Sequence, residues 1–211
     1  MKTLRLFGNR SLPSALLCAL LLAITASSVI SPVRGQNLKL TASPAALLQQ
    51  MAGSWDVRQK MWPGDGAAPI NLPPATARRR LVQGKFLEEV MELPPEVNGE
   101  PFTRISYFNY NAVNQQYECF SIDTRGPQMM NERSYESSAQ GKTNGEGTVI
   151  LYGGSFVAPQ WGAAKNVAFR YRLTVGAVQD NRQIVGLYFT PLSGEPVTEF
   201  MAFEYVYTKR H

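Results

Sequence analysis

The chain contains almost no histidine and very little cysteine. Its one histidine, His211, is the last of 211 residues, and its two cysteines are Cys18 and Cys119. This scarcity argues against a histidine-based catalytic triad, a histidine metal cluster and a histidine-ligated haem. The sequence also lacks Cys-x-x-Cys pairs and glycine-rich phosphate-binding loops. We therefore expect neither a metal nor a cofactor.

Positive charge is concentrated at the N-terminus. Lys2, Arg5 and Arg10 precede a largely apolar stretch over residues 12–24, and small residues follow up to Gly35. This order is typical of a secretory signal peptide, which we place at residues 1–35. The apolar stretch is shorter than the roughly 20 residues of a spanning helix, with an uncleaved anchor as the alternative. We expect an exported protein, periplasmic or extracellular, with no integral membrane span after cleavage.

Removal of that segment changes the charge and cysteine content. The whole chain has a net charge of +5, but residues 1–35 hold four basic residues and no acidic one. The remainder has 17 lysines and arginines against 16 acidic residues. Its one basic run, Arg78 to Arg80, alternates between the two faces of a strand. We therefore expect no nucleic-acid partner. Cys119 remains without a second cysteine, so we expect a buried packing residue rather than a disulfide.

From residue 53 onwards the chain consists of short runs rich in valine, isoleucine, phenylalanine and tyrosine, separated by turn residues. A helix is predicted over residues 43–51, because Ser43 can cap it and Pro44 suits its first turn. A loop is predicted over the proline-rich residues 63–74. The predicted strands are residues 55–61, 76–82, 85–93, 102–110, 117–123, 132–138, 148–156, 167–175, 183–190 and 197–208.

Short connections between these strands favour a meander, and a flat sheet of ten strands commonly closes. We therefore predict an all-β fold, a single antiparallel up-and-down β-barrel with a short helix over one end. Residues 36–46 form a linker and the start of this helix, and residues 47–211 form the barrel domain.

Several motifs carry a family resemblance. In order they are MAGSWDV (51–57), MWPG (61–64), LVQGKFLEE (81–89), FNYN (108–111), QY (116–117) and SIDTRG (121–126). From about residue 48 to 210 the chain resembles the bacterial domain-of-unknown-function family 1579. The resemblance implies a lipocalin-like, calycin-type barrel with room for an internal cavity, export in many members, and no established activity. Lys85, Asn111 and Phe120 depart from the arginine, aspartate and tryptophan usual in that family.

The barrel begins with Gly53-Ser54-Trp55. A Gly-x-Trp motif also opens lipocalin barrels, where the tryptophan closes the barrel floor and a basic residue of the last strand packs across its ring. This similarity implies that Trp55 pairs with Arg210, or alternatively with Lys209, and that Gly53 and Trp55 are structural.

Acidic and aromatic residues remain as candidates for a site. Glu88 and Glu89 lie on opposite faces of one predicted strand, so one of them faces the interior. A carboxyl in an apolar barrel has a raised pKa and can act as an acid or base beside a hydroxyl such as that of Tyr107. The alternative is a solvated carboxylate, or one paired with Arg78 or Arg80.

Loop and strand aromatics are the candidates for ligand contact. Trp62 and Trp161 lie in or beside segments rich in glycine and proline, and Tyr110 and Tyr117 carry hydroxyls on strands. Loop anchoring and core packing are the alternative roles.

Three functions are consistent with these residues. The sequence favours a non-enzymatic barrel that binds a small hydrophobic or amphipathic molecule. A barrel enzyme of the isomerase, cyclase or hydratase type requires Glu88 or Glu89 to point inward, without an arginine partner and close to a tyrosine hydroxyl. A filled barrel would indicate an envelope protein that acts through its surface.

Overall fold

The structure is a computed structural model that describes residues 43–126, 129–133, 148–193 and 197–211. The predicted signal peptide and most of the predicted linker lie outside these residues. One helix precedes ten strands: α1 (Pro44–Met51), β1 (Gly53–Met61), β2 (Ile70–Val82), β3 (Phe86–Glu92), β4 (Thr103–Asn111), β5 (Gln116–Asp123), β6 (Met129–Arg133), β7 (Thr148–Trp161), β8 (Ala164–Gly176), β9 (Arg182–Pro191) and β10 (Phe200–Lys209).

The ten strands form a closed antiparallel barrel. Each strand pairs with its sequence neighbours, and β1 pairs with β10 to complete the circle. Pairing of β1 with β10 removes the two outer edges that an open ten-strand sheet would present to another chain. The predicted up-and-down barrel with a short N-terminal helix is therefore confirmed.

Helix α1 covers one end of the barrel, which we name the closed end. The Ser43 side chain accepts a hydrogen bond from the amide of Ala46, and Pro44 occupies the first turn, where its missing N–H is not needed. Leu47, Leu48 and Met51 bury the apolar face of the helix against the barrel. The predicted helix is confirmed to within one residue.

Strand β2 starts earlier than predicted. It begins at Ile70 and includes Pro73 and Pro74, which the sequence assigns to a loop. The register with β1 shifts between Val57 and Gln59. The side-chain Nε2 of Gln59 donates to the Pro73 carbonyl over 3.0 Å. An irregular ladder of this kind tolerates prolines because it does not require every N–H.

Strands β7 and β8 are also longer than predicted. They form one hairpin with a two-residue connection between Trp161 and Ala164. Gly162 has φ +58 in this turn, a conformation that favours glycine. Strand β6 ends at Arg133, and the rest of the strand predicted over residues 132–138 lies outside the described residues. The end of the barrel opposite α1 is rich in aromatic side chains, and we name it the aromatic end.

Candidate functional site

The barrel contains a cavity of about 660 Å³. It extends from Met51, at the end of α1, to Trp161, at the far end of β7. Strands on every side of the barrel contribute to its lining. Ligand pockets commonly have volumes of about 300–1,000 Å³. The interior is therefore large enough for a small molecule.

Strand alternation determines which side chains reach this cavity. On β3, Leu87, Glu89 and Met91 are buried, whereas the three residues between and after them are half-buried or exposed. Successive side chains of a strand point to opposite faces. The alternation of β3 therefore places one carboxylate, that of Glu89, inside the barrel.

Two arginines hold this carboxylate. Arg79 Nε lies 2.6 Å from one oxygen of Glu89, and Arg104 Nη2 lies 2.6 Å from the other. The Tyr207 hydroxyl accepts from Arg104 over 2.8 Å and donates to Glu89 over 3.3 Å. Burial alone would raise the pKa of Glu89, but the charges of Arg79 and Arg104 and their hydrogen bonds lower it to about 2. We name these four residues the Glu89 cluster.

A second interior carboxyl, Glu132, has a different environment. It lies on β6 directly opposite Cys119 of β5, and only 2% of its surface is exposed. Burial raises the pKa of Glu132 to about 7, outweighing the hydrogen bond with Cys119 and the charge of Arg104. Burial also raises the pKa of the Cys119 thiol well above its usual value. Glu132 is therefore the interior carboxyl whose ionisation changes near neutral pH.

Three buried polar atoms of the cavity wall have no hydrogen-bond partner among the described residues. They are Arg104 Nε, Glu132 Oε2 and Trp161 Nε1. A buried polar group without a partner costs free energy, and such groups are rare in folded proteins. These atoms mark positions where polar atoms of a bound molecule would complete the hydrogen bonding.

Aromatic rings surround the far part of the cavity. The Trp161 ring lies 4.9 Å from Phe189 and 5.5 Å from Phe203, centroid to centroid. Phe156 lies 5.0 Å from Phe189. These edge-to-face contacts hold the rings in place and provide a rigid apolar surface.

The structure separates the two glutamates that the sequence singles out. Glu88 lies on the outer face, where it pairs with Arg80 and accepts a hydrogen bond from the Tyr107 hydroxyl over 2.9 Å. Glu89 faces the interior but pairs with Arg79 and Arg104. Neither glutamate is the unpaired inward carboxyl that the enzyme hypothesis requires.

Of the four aromatic candidates for ligand contact, only Trp161 belongs to the cavity lining. Trp62 packs near the aromatic end, and its backbone amide donates to the Ala202 carbonyl over 3.0 Å. Tyr117 stacks on the lining residue Phe108 at 5.5 Å and meets Tyr110 edge-on at 5.1 Å, and neither tyrosine belongs to the lining itself. Packing against other aromatic rings is therefore the role that the structure shows for Tyr110 and Tyr117.

Trp55 is fully buried, and its Nε1 donates to the Met51 carbonyl over 3.0 Å, but its predicted pairing with Arg210 is wrong. Lys209 lies directly opposite Trp55 in the strand register, and its Nζ lies 5.5 Å from the indole centroid. Arg210 follows the strand and instead donates from Nε to Asp56 on the outer surface, over 2.7 Å. The alternative partner, Lys209, therefore occupies the position, because cross-strand neighbours share one face.

Gly53, at the entry to β1, is required for the same packing. Its φ is +130, and a Cβ at this position would lie 2.9 Å from Lys209 Cε. Any other residue would be strained in backbone conformation and would press against the lysine stem.

Two absences hold for the part of the chain that the structure describes. No group of three or more histidine, cysteine, aspartate or glutamate side chains there is arranged to hold a metal ion. No helix there has the length and apolar character needed to cross a membrane.

Comparison with known proteins extends these observations. Residues 41–207 match the family model described as "Protein of unknown function (DUF1579)". The crystal structure of Rv2717c from M. tuberculosis superimposes with a TM-score of 0.50 at 16% sequence identity, covering 80% of this chain and 99% of that one. At this identity the likeness shows the fold alone. No curated protein matches the chain.

Proposed function

This chain belongs to the DUF1579 family of proteins of unknown function, and we propose that it binds a small amphipathic molecule inside its barrel. The observation that carries this proposal is the cavity of about 660 Å³. A barrel that served only as a scaffold would fill this space with side chains, because protein interiors are close-packed.

The lining suits a molecule with one polar and one apolar part. Apolar side chains such as Leu173, Leu187 and Phe189 form much of the wall. The unpartnered atoms of Arg104 and Glu132 supply a donor and a carboxyl oxygen near the middle of the barrel, and Trp161 supplies a second donor at the aromatic end. Mostly apolar walls with a few polar groups are typical of binding pockets.

Dye binding and a cavity-filling variant test this proposal. The uncharged dye N-phenylnaphthylamine should bind saturably at one molecule per chain and fluoresce more strongly. Leu187→Trp places an indole in the cavity and should weaken dye binding at least about tenfold, since the lost contacts correspond to more than about 1.4 kcal/mol. Ile184→Trp is the matched control, because Ile184 lies on the same strand but is 43% exposed.

Thermal unfolding of both variants establishes that each is folded. Equal dye binding by both variants, or no saturable binding by the parent protein, would contradict the proposal. Native mass spectrometry of protein purified gently from its own host complements this test, because a retained molecule that is lost on denaturation identifies the natural ligand.

We further propose that residues 1–35 direct export and that binding takes place in the periplasm or outside the cell. Support comes from the charged, apolar and small-residue segments of the N-terminus. N-terminal sequencing of the protein from fractionated cells tests this. A full-length chain in the cytoplasmic fraction would contradict it.

A further inference from the structure

We propose that the ligand is an amphipathic carboxylic acid, bound as its carboxylate at Arg104, and that Glu132 takes up one proton when it binds. This inference rests on the binding function proposed above and names the chemical class of its ligand.

The first step is the balance of charge inside the barrel. Arg79 and Arg104 carry two positive charges, and Glu89 carries one negative charge between them. Asp123 and Arg125, which also line the cavity, neutralise each other across 2.6 Å. Among the described residues that line the cavity, there is therefore one positive charge in excess whenever Glu132 is protonated. A monoanion suits this excess, whereas an amine would be repelled.

The second step is the hydrogen-bond donor of Arg104 that has no acceptor among the described residues. Its Nη2 already serves both Glu89 and Tyr207, but its Nε has no partner among the residues described. The Arg104 side chain is only 14% exposed, so water screens its charge weakly. A carboxylate accepting from Nε would make a charge-assisted hydrogen bond, which is roughly twice as strong as a neutral one.

The third step concerns the groups that face Glu132. Cys119 lies opposite on β5, Arg104 acts on it from β4, and Tyr171 acts on it from β8. On β7 its register partner is Gly153, which carries no charge. Glu89 of β3 forms an ion pair with Arg104. Arg104 is thus the cation that acts on Glu132, and no ion pair joins the two in the described structure.

A ligand carboxylate at Arg104 changes the ionisation of Glu132. The ligand carboxylate and an ionised Glu132 would both lie near Arg104 and would repel each other, so one carboxylate near this arginine must be neutralised. Glu89 stays ionised because two arginines hold it. Glu132 is influenced by the charge of Arg104 but has no ion pair among the described residues, so it takes a proton from the buffer, and no bond of the ligand breaks. Its pKa near 7 means that this uptake is measurable above neutral pH.

Decanoic acid and decanol are the matched probes, because they differ in the head group and decanoate stays ionised throughout the test range. Displacement of N-phenylnaphthylamine is measured from about pH 6 to about pH 9. Decanoate should bind at least about tenfold more tightly than decanol at pH 6, since an ionic hydrogen bond is gained. Its affinity should then fall by up to about tenfold for each pH unit above 7, whereas decanol binding should stay constant.

Glu132→Gln should remove the pH dependence of decanoate binding, and Glu92→Gln, which alters an exposed carboxyl at the end of β3, should retain it. Calorimetry in two buffers of different ionisation enthalpy should show uptake of up to about one proton at pH 8 in the parent protein and none in Glu132→Gln. The calorimetric measurement on the parent protein tests proton uptake even if Glu132→Gln folds poorly.

The outcomes separate the two proposals. Dye binding with no preference for decanoate over decanol would overturn the carboxylate ligand and leave the binding function standing. Tight decanoate binding without proton uptake would overturn the role of Glu132. Failure of the dye and both decyl probes would overturn the inference together with the binding function on which it rests.

Discussion

Replacing Glu132 with glutamine should stabilise the protein, and the gain should grow with pH. Glutamine has nearly the same shape but never ionises. The usual pKa of a glutamate is 4.5, and burial raises that of Glu132 to about 7. The folded state therefore holds the proton more tightly than the unfolded chain, and stability falls as pH rises from about 4.5 through 7. The full difference corresponds to about 3 kcal/mol at alkaline pH.

Urea unfolding at about pH 5 and about pH 8 measures this effect. The gain in unfolding free energy from Glu132→Gln should be larger at the higher pH by about 2 kcal/mol, because the unfolded glutamate is already partly ionised at pH 5. Glu92→Gln, at an exposed position, should show no comparable change between the two pH values. Equal effects of Glu132→Gln at both pH values would refute the reasoning, since they would mean that folding leaves this carboxyl's proton affinity unchanged.

Two further predictions test the packing around the site. Glu89→Gln should lower the unfolding free energy at pH 7 by about 3 kcal/mol or more, because it leaves two buried arginines without their anion, whereas Glu88→Gln on the outer face should cost under about 1 kcal/mol. Similar losses for the two would refute the buried pairing. Gly153→Ala should lower the melting temperature, with a loss of about 1–3 kcal/mol, because its Cβ would lie 2.0 Å from the Tyr171 ring. Gly154→Ala, whose Cβ meets nothing within 4 Å, is its control, and equal melting temperatures would contradict the contact.

The fold follows from local sequence signals, but some strand ends do not. Runs of β-branched and aromatic residues with turn residues between them are enough to predict ten strands and their closure. Pro73, Pro74, Pro159 and the pair Gly153-Gly154 all suggest interruptions, yet they lie inside β2 and β7. Register shifts lie beside Pro73-Pro74 and at Gly153-Gly154, and such irregularities depend on the neighbouring strand rather than on the local sequence.

The charged side chains of the interior and their partners are harder to predict from the sequence than the fold is. Alternation shows that Glu88 and Glu89 face opposite ways, but which one faces inward depends on the register of the whole barrel. The partners of Glu89 come from three different strands, β2, β4 and β10, and no local sequence signal predicts these contacts. The sequence does not single out Glu132, because no local signal shows that it lies opposite Cys119 in the barrel interior. Of the aromatic candidates, Trp161 lines the cavity because the hairpin of β7 and β8 extends to it.

The seam between β1 and β10 has a consequence for how the protein folds. It brings Trp55 opposite Lys209, and Asp56 binds an arginine 154 residues away along the chain. Contacts of such long sequence separation form slowly. Until the last strand has been synthesised, β1 and β9 each present an unpaired edge, and such edges associate with other chains. A chain that ends before Phe200 should therefore aggregate rather than persist as an open barrel, and completion of the C-terminus should be the step that makes the protein monodisperse.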